Sequence, residues 1–333
     1  MVHAVFFGRM FVRTRKLGNS ELELITVGLG AWAMGGPWEW GWGPQDDNDS
    51  IRTVRAALDS GINWIDTAPV YGRGRSEEVV GKALKDVGNK PIIATKCSLV
   101  WDEKSDKISC LEPKSIRNEC HQSLKRLRID TIDLYQMHWP EPDEMVEEGI
   151  GEMARLQKEG KVRYIGVSNF TVAQIQRARK VAQIVSLQPP YSMIRRDAED
   201  ELLPFCGQNN IGVIVYSPMA KGLLTGKFSA ERVAQLPEGD HRKDSPEFNE
   251  PAFSATLELV ENLKPIARRN GITLAQLALG WVLRRKEVTA AIAGARRPEQ
   301  TKETAAASDI DLSQEDIEEI EELLEKRRQK TEK

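Results

Sequence analysis

The stretch TIDLYQMHWPEPDEMVEEGIGEMARLQKEGKVRYIGVSN, residues 131–169, holds the repeating unit of the whole chain. It opens on a β-rich run, TIDLYQMH (131–138), and passes through an amphipathic helical pattern, DEMVEEGIGEMARLQKEG (143–160). That pattern closes on Gly160, as helix C-termini tend to, and a second β-rich run, VRYIGVSN (162–169), follows. Strands separated by helical crossovers argue for a parallel sheet.

Outward from this unit the alternation continues in both directions. The further strand candidates are LITVGLG (24–30), NWIDTA (63–68), PIIATK (91–96), IVSLQ (184–188), GVIVYSP (212–218) and TAAIAG (289–294), which makes eight in all. Helical patterns such as SIRTVRAALDSG, SEEVVGKALKDVG and PKSIRNECHQSLKRL lie between them. Eight strand-helix units predict an α/β fold of the (β/α)8 TIM-barrel type rather than an open doubly wound sheet. TRKLGNSELELI (14–25), with its Gly-Asn turn, predicts an N-terminal hairpin covering one barrel mouth. EDIEEIEELLEKRRQKTEK (315–333) predicts a charged C-terminal helix that fades into a solvated tail. The domain reading is an extension at 1–12, one barrel domain at 13–326 and a charged tail at 327–333. Loops 33–48 and 219–253 break the alternation, and connections of that length usually carry function.

Composition narrows the class. Of 333 residues, 40% are hydrophobic and 29% charged, as in a soluble globular protein with a sizeable core. No run approaches the roughly 18 apolar residues of a membrane span. MVHAVFFGRMFV is broken by Gly8 and Arg9 and makes a poor signal peptide. A net charge of −3 over 47 basic and 50 acidic residues offers no global field for nucleic acid or an anionic membrane. Four cysteines without a CxxC pair imply reduced thiols and a cytoplasmic setting, and four histidines without ligand spacing imply no metal site.

In a parallel barrel all strands end on one face, so polar residues at those ends meet although they are distant in sequence. The ends here carry Asp66, Lys96, His138, Ser168, Asn169, Gln188, Tyr216, Ser217 and Gly294-Ala295-Arg296, and Tyr71 follows Asp66 by five residues. Singly each has an ordinary reading: Asp66 a turn cap, Lys96 a solvated strand end, His138 a core histidine. Together they make an acid-base set. A tyrosine with a pKa near 10 exchanges protons at neutral pH when a neighbour favours its phenolate. Lys96 can do that, Asp66 can anchor Lys96, and His138 can orient a substrate oxygen toward Tyr71. Trp32, Trp101 and Trp139 fall near the same mouth and predict an aromatic-walled pocket suited to small carbonyl compounds. Gly28-Leu29-Gly30-Ala31-Trp32-Ala33 matches the loose dinucleotide fingerprint, but the following MGGPWEWGWGPQ (34–45) cannot open the helix that a Rossmann fold needs.

DTAPVYGRGRSE (66–77), the lysine closing PIIATK, QMH (136–138), GVSNF (166–170), YSPMAKGLLTGK (216–227) and GARRPEQ (294–300) resemble the aldo-keto reductase family over roughly residues 13 to 325. Within it the chain is most similar to the bacterial and channel-β-subunit-like branch, including reductases of the inositol-cluster type. The resemblance implies a catalytic tetrad of Asp66, Tyr71, Lys96 and His138 and the cofactor NADPH. It further implies that Ser168, Asn169 and Gln188 bond the nicotinamide amide and that Tyr216 stacks on the ring, with Gly30, Ala31, Trp32 and Asp66 beside it. Ser217, Pro218, Met219, Ala220, Lys221, Gly222 and Lys227 would cross the pyrophosphate. Gly294, Arg296, Gln300, Glu303 and Thr304 would bind the adenosine end, although Thr304 stands where the family has asparagine. Arg296 and Arg297, beside a helix starting near Pro298, favour NADPH over NADH, with Arg296 matching the family's phosphate-contacting residue and Arg297 turned to solvent. The expected reaction is reversible reduction of an aldehyde or ketone, with Tyr71 as general acid. An NAD(P)-linked polyol or inositol dehydrogenase and a channel-β-subunit-like binding or redox-sensing module are the alternatives. The expected partner is a small-molecule carbonyl substrate, with no nucleic acid or membrane, for a monomer or weak homo-oligomer.

Overall fold

The computed structural model describes residues 3–7, 10–102 and 106–331, with side chains from residue 13 onward. Eight parallel strands close into a barrel: β1 (Val27–Gly30), β2 (Trp64–Asp66), β3 (Ile92–Cys97), β4 (Ile132–Met137), β5 (Val162–Ser168), β6 (Ile184–Gln188), β7 (Gly212–Val215) and β8 (Val288–Gly294). Each pairs with its neighbours in chain order, and β8 returns to β1 through Ala291↔Val27 to Gly294↔Gly30. Because helices cover the outside and side chains fill the inside, these strands are buried on both faces and read as nearly continuous apolar runs. All eight predicted strands are present.

The interior is packed by Trp64, Leu134, Val185, Ile214 and Ala290 from the strands, with Leu17, Leu22 and Leu24 from below. Those three leucines belong to the expected N-terminal hairpin, in which Met10–Lys16 runs antiparallel to Glu23–Ile25. A further strand, His3–Phe7, pairs with Met10–Lys16. Of the segment 1–12, positions 1, 2, 8 and 9 lie outside the described residues, as do 332 and 333 of the tail. The first strand candidate, 24–30, is divided at Thr26, whose backbone N–H donates to Arg13 O and whose carbonyl accepts from Ala291 N. Residues before the break serve the hairpin and those after it the barrel. The glycines of the rejected fingerprint have a packing reason: a Cβ at Gly28 would collide with the Trp64 indole, and one at Gly30 with the Ile292 side chain.

The C-terminal helix runs from Gln314 through Thr331, further than its charge pattern suggested. It docks on helix Ala252–Arg269: Arg269 Nε donates to Asp316 (2.7 Å), Arg327 Nε to Thr256 Oγ1 (2.9 Å), and Lys330 pairs with Glu258 (2.6 Å). A small hairpin, Leu99–Trp101/Lys107–Ser109, directly after β3 went unread in sequence. Strands of three residues are too short to show alternation. Loop 219–253 contains only short helical turns, including Ala220–Thr225, Ala230–Ala234 and His241–Asp244. No described helix is long and apolar enough to cross a membrane. The four cysteines are unpaired, and no metal-binding cluster occurs among the described residues.

Candidate active site

Three barrel strands grip Asp66, the last residue of β2. Its Oδ1 accepts from Lys96 Nζ at 2.6 Å, and its Oδ2 from Gln188 Nε2 at 2.9 Å and Gln136 Nε2 at 3.3 Å. Lys96 is wholly buried and also donates to Thr67 O (3.0 Å) and Tyr71 Oη (3.3 Å). The Tyr71 ring lies between His138, edge-on at 5.9 Å, and Trp32, stacked at 6.1 Å. The four residues separated in sequence therefore form one contact group at the C-terminal mouth of the barrel.

Burial sets the resting proton state of the group. Burial, reinforced by the Asp66 charge, pushes the Tyr71 hydroxyl well above its ordinary 10, so Lys96 does not turn it into a phenolate. Lys96 itself is lowered by burial, with Asp66 opposing that shift. Burial, aided by the charges of Lys96 and Lys107, drives His138 well below 6.5. At neutral pH the group thus holds a protonated phenol and a neutral imidazole, both proton-bearing hydrogen-bond donors.

A cleft of about 1190 Å³ leads from Tyr71 and His138 along Ser168, Asn169, Gln188 and Tyr216 to the start of helix Pro298–Ala305. Backbone of non-glycine residues lies in the left-handed region along it at Asn169 (φ 61°), Ser217 (54°) and Lys221 (55°). Such conformations cost energy and cluster at functional sites. Asn169 Nδ2 donates to His138 O (3.0 Å) and Ser168 Oγ (3.1 Å), while its Oδ1 accepts from Tyr216 Oη (2.9 Å). This network sets the Tyr216 ring into the wall. At Gly294 a Cβ would project into open space, so the backbone there presents a bare floor to the cleft. An elongated cleft with polar amides at one end, an aromatic wall and a helix N-terminus at the other fits a dinucleotide.

Several expected contacts are committed elsewhere. The Arg296 guanidinium donates to Gln45 Oε1 (2.7 Å), Trp42 O (3.2 Å) and Pro44 O, so it bolts down loop 33–48 and is not a free phosphate ligand. Arg297, expected in solvent, is exposed at the cleft edge as the N-cap residue of the next helix. Gln300 Oε1 accepts from Arg296 N (2.8 Å) and Arg297 N (3.1 Å). Thr304 Oγ1 donates to Gln300 O (3.0 Å), so its hydroxyl is left only as an acceptor on the cleft. Lys221 is held by Ser245 (2.8 Å) and Glu247 (3.5 Å), and Lys227 pairs with Glu303 (3.3 Å) across the cleft. Ala31 and Ala220 are buried and do not line the cleft. Trp101 stands one layer back, edge-on to Trp38 at 5.9 Å, whereas Trp32 and Trp139 do form the wall.

Sequence reasoning missed the groups that brace the tryptophan loop. His241 donates from its backbone and from Nδ1 to Gly41 O (3.2 and 2.9 Å) and packs on Trp32 at 4.6 Å. Arg242 lies 4.6 Å over the Trp42 ring, and Arg75 Nη2 donates to Gln45 O at 2.6 Å. The placement of both long loops outside the alternation was the available signal, but nothing in the sequence paired one with the other.

The aldo/keto reductase family model matches residues 26–325, and the chain belongs to that family of oxidoreductases, which reduce carbonyl compounds with nicotinamide cofactors. It is 40% identical over 313 residues to the aldo-keto reductase YhdN of Bacillus subtilis (strain 168), covering 93% of this chain and 92% of that one. It is 36% identical to the NADH-specific methylglyoxal reductase of Escherichia coli (strain K12), over 90% and 94% of the two chains. Among solved structures it is similar to the glycerol dehydrogenase AKR11B4 from Gluconobacter oxydans, with a TM-score of 0.86, 38% identity and coverage of 94% and 95%.

Proposed function

We propose that this enzyme reduces small aldehydes or ketones to alcohols, with Tyr71 giving the carbonyl oxygen its proton and NADPH as the preferred cofactor. The observation that carries the reading is the buried contact of Lys96 with both Asp66 and Tyr71, next to a neutral His138. When bound, the nicotinamide supplies the hydride equivalent. His138 donates a hydrogen bond that fixes the substrate oxygen near Tyr71 Oη. Tyr71 holds its proton until charge builds on that oxygen, and Lys96, 3.3 Å away, stabilises the phenolate left behind. Asp66 keeps the ammonium in place. Burial of the whole group excludes water, which strengthens each of these interactions.

Gln188 Oε1 has no partner among the described residues and is suited to receive the carboxamide, while Ser168 Oγ, which donates to Gln188 O at 2.8 Å, retains acceptor capacity. Tyr216 offers its face for stacking. For the 2′-phosphate we assign Arg297 in place of Arg296, because its guanidinium is exposed at a helix start while that of Arg296 is already bonded. Free thiols support a reducing, cytoplasmic setting. Likeness to a glycerol dehydrogenase favours polyol oxidation as the second reading. A screen of aldehydes and polyols followed at 340 nm with NADPH and NADH tests all of this. Turnover of polyols alone would replace reduction by the second reading, and equal use of both cofactors would remove the NADPH assignment.

A further inference from the structure

The hairpin after β3 puts Lys107 opposite Trp101, and directly paired residues share a face. Trp101 turns back to pack against Trp38, while Lys107 lines the cleft with its ammonium 5.9 Å from the centre of the Trp40 ring. No carboxylate pairs with Lys107 among the described residues. The apolar lining of the cleft includes Trp32, Val70, Leu99 and Trp139, and Glu141, an acid in contact with this hairpin, accepts from Ser109 Oγ at 3.3 Å. Asp66, the acid at this end, is buried and spent on Lys96, Gln136 and Gln188. The other cations of the cleft sit toward Arg296 and the loop 219–253, where Lys221 pairs with Glu247 and Lys227 with Glu303. The substrate end is thus an aromatic pocket with neutral donors and, among the described residues that line it, one ammonium without a carboxylate partner. That charge is felt as far as His138.

An ammonium resting on an indole face keeps N–H groups free for a stronger partner. We infer that Lys107 is a specificity-determining residue that selects carbonyl substrates bearing a second, anionic group, a carboxylate or a phosphate, away from the reacting carbon. Tyr71 and His138 receive the carbonyl, and the anion reaches out along the aromatic wall to Lys107 near the rim. This rests on the reading of Tyr71 and His138 as the reacting end.

The test compares kcat/KM for 4-carboxybenzaldehyde with that for its methyl ester, and for glyceraldehyde 3-phosphate with that for glyceraldehyde. The anionic member of at least one pair should be preferred by about tenfold, a modest value for a charge contact open to solvent on one side. The pair that shows the effect identifies carboxylate or phosphate as the matching group. The preference should shrink as salt is raised from about 0.05 to 0.5 M. It should collapse in Lys107→Met, persist in Lys107→Arg and invert in Lys107→Glu. Turnover without any anion preference, or a preference that survives Lys107→Met, overturns the inference and leaves the proposed function standing. Absence of turnover for every aldehyde, charged or neutral, overturns both.

Discussion

The two ends of the cleft are built on opposite plans. At the Asp66 end the supports come from barrel strands: Lys96 from β3, Gln136 from β4 and Gln188 from β6 converge on one carboxylate. At the Arg296 end loops hold loops. Arg296 binds carbonyls of loop 33–48, His241 of loop 219–253 binds the same loop at Gly41, and Lys227 reaches Glu303. A proton-transfer group needs its atoms held to within a fraction of an ångström, which packed strands supply. Recognition of a long ligand that must enter and leave tolerates, and needs, segments that rest on a few hydrogen bonds.

Removing chemistry from the rigid end should give the largest effect. Tyr71→Phe deletes one hydroxyl from a packed ring and should lower kcat by about 10²–10⁴ while leaving cofactor affinity, read by fluorescence titration, nearly constant. In the wild type the reduction rate should stay level from about pH 6 to pH 9. His138 is already neutral there because its pKa is depressed, and Tyr71 is still protonated because its pKa is raised. A rate that falls across neutrality in a profile taken with saturating cofactor would sink the assignment of one or other group.

Breaking the support tests the same end by a different readout. Lys96→Met leaves Asp66 buried without its cation and should cost about 3–5 kcal/mol in denaturant unfolding, as well as activity. Adding Asp66→Asn should restore much of that stability and none of the activity. If the single variant unfolds like the wild type, the barrel mouth is wetter than its packing implies.

At the loop end the two arginines should separate. Arg297→Ala should cut the NADPH-over-NADH ratio of kcat/KM by about tenfold, the range of one charge-assisted contact near solvent. Arg296→Ala should instead raise KM for both cofactors in parallel and alter the fluorescence of the tryptophan loop, since it releases Trp42, Pro44 and Gln45. The reverse pattern would return the phosphate contact to Arg296.

The last test concerns the packing behind the rigid end. Glu119 accepts from Ser98 N at 3.0 Å and Ser115 Oγ at 3.3 Å, and burial pushes its carboxyl up to about 8. Ser98 in turn holds the backbone of Trp139, next to His138. Between the ordinary carboxylate range and about pH 8 the unfolded chain has released this proton and the folded chain has not. Stability contributed by Glu119 is therefore full at low pH and lost as pH rises, by at most about 1.4 kcal/mol per pH unit. Thermal melts from pH 5 to 8 should show that slope in the wild type and lose it in Glu119→Gln. Equal slopes would place the titration elsewhere.

Legibility follows the same division. The eight strands could be read from apolar runs, and parallel topology alone brings Asp66, Lys96, His138, Asn169 and Gln188 to one mouth. The hairpin that carries Lys107 could not be read, because three-residue strands have no period to detect. How strongly Tyr71 holds its proton could not be read, because a neighbouring lysine can be named from sequence while the burial that raises the tyrosine cannot.

By itself, then, the sequence determined the barrel, the hairpin beneath it and which residues close its strands, since each depends on local periodicity and chain order. Only the tertiary structure decided which charges remain free. Arg296 and Gln45 are 251 positions apart, His241 and Gly41 are 200 apart, and no spacing rule links them. Whether a guanidinium binds ligand or its own backbone is settled by which carbonyls the folded loops bring within 3 Å or so of it.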